Sequence, residues 1–275
     1  MLSALAPASP LAPAWERIGR VLPTLRVREE APGRGVPAGD RWDLGGLAAG
    51  GAVLDAFLAR EAGRAERDYG APARPDVIAG FALHRVMWPS AALFTVPWFL
   101  LRRVPILSPA DVLLDDEGLT VRVGGFHCLA DDPAADLRGA RPVDGEEALR
   151  AALRSAAAEH FTPLLETFGP LMRRRERALW GMASDELTES LTYLGGLFGE
   201  EERARHEAEL LLPGSTAPYT GGAGFRELTD DRGRRHTTRD RISCCLFYTI
   251  RPEDTCLTCP RTCDAERVER LSGIR

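Results

Sequence analysis

Five of the six cysteines fall between Cys244 and Cys263, in the run RISCCLFYTIRPEDTCLTCPRTC, while Cys128 stands alone in mid-chain. The spacing is an adjacent pair, Cys244-Cys245, ten intervening residues, the turn Cys256-x-x-Cys259, and Cys263 after three more. A Cys-x-x-Cys turn presents two sulfurs to a metal with backbone N–H groups nearby, which suits zinc and iron-sulfur sites alike. Neighbouring residues of an extended chain point to opposite sides, so Cys244 and Cys245 fit poorly onto one small tetrahedral ion. A two-iron cluster accommodates them better. The pattern favours an iron-sulfur cluster on Cys244, Cys245, Cys256 and Cys259, with zinc the next reading and free thiols or a disulfide the last. Cys263 reads as a spare thiol, and Cys128, beside His127 and after Gly124-Gly125, as a half-buried loop cysteine.

Cysteines gathered this closely staple nothing over long range. The apolar start, Met1 to Ala14, is broken by Pro7, Pro10 and Pro13 and lacks the cationic opening and unbroken apolar core of a secretory signal. It is expected to be a retained cytoplasmic terminus, in a reducing compartment where a cysteine cluster points to metal or redox chemistry. At 275 residues and 44% hydrophobic, the chain can bury a core without help from metal. Its basic residues are all arginine and are spread along the chain, and the net charge of −5 offers no electrostatic grip on nucleic acid. The arginine run Arg173 to Arg177 is short and reads as a solvated helix face. Val86 to Leu101 is free of acids and contains Pro89 and Pro97. It falls short of a spanning helix and is read as buried core, with peripheral contact at the inner membrane face as the alternative.

The elements that would position the cysteines follow from periodicity. Leu47, Val53, Leu54, Phe57 and Leu58 give an apolar helical face over Leu44 to Ala59, and another helix runs from Asp76 into the proline-interrupted stretch. Alternation over Val112 to Val123 about Asp116-Glu117-Gly118 predicts a hairpin. Asp144 with Glu147 reads as an N-cap with a reciprocating acid ahead of Leu149, Ala152, Leu153, Ala156 and Phe161, and Pro163 should end or kink that helix. Pro170 is expected to open a short helix through Trp180, and Ser184 to cap a third bearing Leu187, Leu191, Leu194 and Phe198. Glu200 to Leu212 reads as a fourth, mostly solvated helix. Pro213 to Gly224, PGSTAPYTGGAG, is rich in turn formers and poor in packing groups, so a boundary belongs there. Beyond it, Phe225 to Arg239 predicts a polar hairpin about Asp231-Arg232-Gly233. The expected fold is α+β. Residues 1–40 form an N-terminal segment without an evident role, 41–222 a mainly helical body with small antiparallel sheets, and 223–275 a short cluster-binding segment.

Arg241-Ile-Ser-Cys-Cys-Leu-Phe-Tyr, the ten-residue gap and Cys256-Leu-Thr-Cys259-Pro resemble the C-terminal signature of FhuF-type ferric-siderophore reductases. His160-Phe-Thr-Pro-Leu164 and Arg177-Ala-Leu-Trp-Gly181 resemble the central pattern of that family, although Met182 stands where members often carry Asn and Cys263 lies outside the pattern. The resemblance implies a cytoplasmic 2Fe-2S protein that reduces Fe(III) held by an imported siderophore of hydroxamate type. Fe(III) is a hard cation held by oxygen donors, and one added electron weakens that hold. Arg239, Arg241, Arg251 and Arg261 are candidates to tune an anionic cluster. Arg241 is the foremost for direct contact with cluster or substrate, and Arg251 is grouped with it. His160 and Trp180 read as core.

No glycine-rich phosphate turn, Walker lysine or nucleophile-elbow serine is present in the sequence, so electrons are expected from a separate ferredoxin or flavin-dependent reductase. His206-Glu207 begins like a metalloprotease motif but lacks the second histidine. The competing readings are an iron-sulfur sensor or electron carrier, a zinc-binding protein and a siderophore-synthetase-like ligase, for which the chain is short.

Overall fold

The computed structural model describes residues 9–30 and 41–273. Its axis is the mainly apolar helix α4 (Pro75–Leu101), buried over most of its length. α1 (Ala12–Val21), α3 (Gly51–Tyr69), α5 (Gly145–Leu171) and α6 (Glu176–Phe198) all pack against it. By length and composition α4 could cross a membrane, but 72% of its most apolar window is buried inside the fold. Neighbouring helices supply the apolar surroundings that lipid would otherwise provide. Pro89 and Pro97 lie within it, each removing one helical hydrogen bond. Burial of Leu93, Phe94, Val96, Trp98 and Phe99 offsets that loss.

The same balance corrects two expectations on α5 and α6. Pro163 neither ends nor breaks α5, and Pro170 sits in its last turn instead of opening a new helix. Leu149, Leu153, Phe161, Leu164 and Phe168 form one buried stripe that runs across Pro163 and up to Pro170, so tertiary packing overrides the local signal. Ser184 is not a cap. It lies mid-way along α6, buried, with its hydroxyl donating to the Trp180 carbonyl at 2.9 Å. Asp144 is at the N-cap of α5 but makes no side-chain cap, and Glu147 pairs with Arg150 (2.9 Å) and Arg154 (2.7 Å). The helix expected over Leu44 to Ala59 is split by Gly50, at φ +78°, into α2 (Leu44–Ala49) and α3.

Small sheets flank the helices. β1 (Arg26–Glu29), β5 (Gly118–Val121), β4 (Val112–Asp115) and β2 (Trp42–Asp43) lie side by side in that order, with the expected β4–β5 hairpin at their centre. Gly118 holds φ +140°, and a Cβ there would strike the Arg26 carbonyl, so only glycine admits β1 beside β5. β3 (Arg103–Pro105), β6 (Phe126–Leu129) and β7 (Ala140–Val143) form a second sheet. The β2–β4, β4–β5 and β3–β6 pairs are antiparallel as expected, and the β1–β5 and β6–β7 pairs add parallel edges. Cys128 is on β6 and fully buried rather than half-buried in a loop, and burial pushes its thiol up.

Residues 9–30 are integral to this core: Trp15, Ile18 and Leu25 are buried, and the Trp15 indole donates to Glu29 at 2.6 Å. Residues 1–8 of the apolar start, and 31–40, lie outside the described residues. The segment 213–224 also packs, against expectation. Tyr219 is buried, its ring edge-on to Trp180 and its hydroxyl donating to the Arg154 carbonyl at 2.9 Å. α7 (Glu201–Leu211) lies against α6, with Ala204, Ala208 and Leu211 inward and its other face solvated. Its buried Glu207 pairs with Arg102, a structural role. The chain closes with the hairpin β8 (Phe225–Thr229) and β9 (Arg235–Arg239), the cysteine segment and α8 (Asp264–Gly273).

Candidate metal centre

β9 delivers the chain to the cysteines, and α6 fixes it there. Asp185, 1% exposed on α6, accepts the backbone N–H of Ile242 at 3.1 Å and of Ser243 at 2.8 Å. It also accepts the buried Arg239 guanidinium at 3.1 Å and lies 3.6 Å from that of Arg241. Burial raises the Asp185 carboxyl from its ordinary value, and Arg241 and Arg239 oppose that rise. Gly181, one turn earlier, lets this approach happen: a Cβ there would come 2.7 Å from Ile242 Cγ2.

Other arginines hold the backbone of the cysteine segment by its carbonyls. Arg174 donates to Cys244 O at 3.0 Å, Arg267 to Cys259 O at 3.0 Å and Arg270 to Thr255 O at 2.6 Å. Arg267 is 2% exposed and is itself held by Asp240 at 2.6 Å. Of the run Arg173 to Arg177, Arg173, Arg175 and Arg177 are solvated as expected, whereas Arg174, in the α5–α6 turn, reaches the first cysteine. The two halves of the segment meet where Arg241 N donates to Thr258 O at 3.4 Å, and the Cys256–Cys259 turn closes with Cys259 N donating to Cys256 O at 3.0 Å.

Within this frame the four expected cysteines come together. Cys244 lies beside Cys245 and Cys259, and Cys256 beside Cys245 and Cys259, each close enough for one thiol to oppose ionisation of the next. Burial pushes the Cys244 and Cys256 thiols up, and Arg241 draws Cys256 back. Leu246, at φ +65°, turns its N–H toward Cys244 Sγ at 3.4 Å, the kind of hydrogen bond that tunes a thiolate-bound cluster. Among the described residues no three His, Cys, Asp or Glu side chains gather round one point as a single ion requires. Four soft thiolates, backed by N–H and arginine, fit a two-iron cluster. Cys263 is exposed, outside this group, at the start of α8.

The arginines expected around the cluster have different places. Arg239 is buried on Asp185 and Glu189, Arg251 is partly exposed near Glu253, and Arg261 lies over the Tyr248 ring. Arg241 stands with Cys245 on the wall of a cavity of about 600 Å³ between α3, α4 and the β4–β5 turn. Asp185 and Glu186 raise the Arg241 guanidinium from its ordinary value against the burial that would lower it. Trp42, Phe57, Tyr69, Phe81, Trp88 and Phe247 line the apolar part, and Met182 also lines the cavity. Phe247 is edge-on to Tyr69 with centroids 5.2 Å apart, tying the cysteine loop to the cavity rim. Sequence reasoning missed Asp185, Arg174, Arg267 and this cavity. His160 is fully buried core, its Nδ1 3.3 Å from the Leu107 carbonyl, and burial pushes it down to about 4. Trp180 is core as expected.

No protein of curated function matches the chain. A family model described as the FhuF 2Fe-2S C-terminal domain matches residues 241–261, a range that contains Cys244, Cys245, Cys256 and Cys259 and stops short of Cys263. Residues 241–261, held on α6 by Asp185, thus match the 2Fe-2S C-terminal domain of the FhuF family.

Proposed function

We propose that this protein is a cytoplasmic ferric-siderophore reductase, in which Cys244, Cys245, Cys256 and Cys259 hold the cluster and the neighbouring cavity receives the ferric chelate. The observation that carries this reading is that Cys245 and Arg241 are themselves part of the cavity wall. A bound cluster would supply single electrons at that wall. The protein's own groups do the rest by binding and orienting.

The cavity has the size of a compact small-molecule site. Its arginines and carboxylates balance: Arg60, Arg64, Arg85 and Arg241 face Glu61, Asp68, Asp115 and Asp116. An uncharged ferric trihydroxamate, whose three anionic ligands cancel the metal charge, suits such a lining better than a highly anionic catecholate complex. Aromatic walls would cover its organic frame while Arg241 contacts an oxygen donor facing Cys245. A separate ferredoxin or flavin-dependent reductase supplies the electrons in this proposal.

The test is anaerobic mixing of dithionite-reduced protein with ferric trihydroxamate in the presence of a ferrous-selective chelator. Reoxidation of the visible spectrum with matching Fe(II) capture is expected. A reduced spectrum that persists beside every ferric chelate would leave an electron carrier or sensor and remove the reductase.

A further inference from the structure

One turn of α4 places a histidine on the cavity wall with a buried carboxylate behind it. His84 Nδ1 is 2.6 Å from Glu186 Oε1, and Glu186, on α6, is 1% exposed. Its second oxygen, Oε2, is buried with no hydrogen-bond partner among the described residues. The His84 side chain is 49% exposed and lines the same cavity as Cys245 and Arg241. With Nδ1 engaged, Nε2 is the nitrogen left to face an occupant.

We infer that His84 is the proton donor to the siderophore oxygen that leaves iron on reduction, and that Glu186 is its positioning residue. This rests on the reductase reading and deepens it. Reduction alone leaves anionic hydroxamate oxygens that can recapture the metal, so release is completed by protonation. The balance is simple. The cluster that Cys244, Cys245, Cys256 and Cys259 would hold would supply the one electron that takes the substrate's Fe(III) to Fe(II). The Fe–O bond then breaks with its electron pair remaining on oxygen. That oxygen forms an O–H bond with the proton from His84 Nε2, whose N–H pair remains on nitrogen. Neutral His84 regains a proton from water at its exposed edge.

The surroundings support the charged form. The carboxylate of Glu186 raises the imidazole from its ordinary value, with burial and Arg241 opposing and Glu189 assisting. Around the cavity, Arg85 is held by Glu61 at 2.7 Å, and Arg64 and Asp68 face it from α3. A histidine protonated to higher pH than usual is matched to giving a proton in a neutral cytoplasm.

Rapid mixing of the reduced holoprotein with ferric trihydroxamate, with ferrous capture followed against pH, tests this in the wild type, His84→Gln and Glu186→Gln. Capture by the wild type should fall as pH rises through the raised His84 pKa and show a normal solvent deuterium isotope effect. His84→Gln should slow capture by about tenfold or more and flatten that limb. Glu186→Gln should move the limb to lower pH. In both variants the visible spectrum should stay unchanged and the redox-inert gallium(III) trihydroxamate should still bind. Equal rates and the same pH profile in His84→Gln and wild type, or no isotope effect in the wild type, would overturn the assignment while leaving reduction standing. Failure of the wild type with every chelate would remove both.

Discussion

Asp185 accepts the backbone N–H of Ser243 at 2.8 Å, so a buried carboxylate of the helical body grips the chain one residue before the first cysteine. The same carboxylate neutralises Arg239, which is almost fully buried. Asp185→Ala would leave Arg239 to Glu189 alone and strand two backbone N–H groups, a loss of about 1–3 kcal/mol for each unsatisfied buried group. The expected outcome is a folded body with a loosened C-terminal segment, seen as a fall in iron per chain and in visible circular dichroism. Full iron content with an unchanged spectrum would show that α6 does not position the cysteines.

Phe247 joins the cysteine loop to α3 and α4 through Tyr69, at 5.2 Å, and Phe81, at 6.1 Å. Aromatic pairs of this kind contribute about 0.5–1.5 kcal/mol each. Phe247→Ala should free the Cys245 side of the loop, lower the temperature at which visible absorption is lost, and leave the far-ultraviolet unfolding of the helices nearly where it was. Coincident shifts in both transitions would mean that the loop and body form one unit.

His160 carries the clearest pH dependence of stability. Its folded pKa is about 4, whereas the unfolded side chain titrates at its ordinary 6.5. The unfolded chain therefore binds the proton first, and this group's contribution is complete above 6.5 and falls as pH drops toward 4, by about 3 kcal/mol in all. Urea midpoints at pH 7 and pH 5 should differ less in His160→Phe than in the wild type. An equal pH response in the two would place the acid sensitivity elsewhere.

Much of the metal centre was legible in its spacing, since the gathering of Cys244, Cys245, Cys256 and Cys259 depends on two short turns. The hairpins over Val112 to Val123 and Phe225 to Arg239 were legible for the same reason: their turns are local and glycine-marked. Pro163, Pro170 and Ser184 misled because proline and cap signals describe an isolated helix. Here the buried faces of α5 and α6 outweigh them. Asp185 and Arg174 were invisible because their partners lie on a distant stretch of chain, and nothing in their immediate neighbours marks them. The cavity is likewise made by elements far apart in sequence, α3, α4 and the cysteine loop, so its meeting with Cys245 follows from packing alone.

The central claim is that Cys244, Cys245, Cys256 and Cys259 together hold a two-iron cluster. Iron and acid-labile sulfide analysis of anaerobically purified protein, read beside its visible spectrum, tests it most directly. The account predicts about two irons and two sulfides per chain with thiolate-to-iron absorption. Cys244→Ser and Cys259→Ser should lose them, and Cys263→Ser should keep them. Colourless protein carrying one zinc, or full iron content after loss of Cys244 or Cys259, would contradict it.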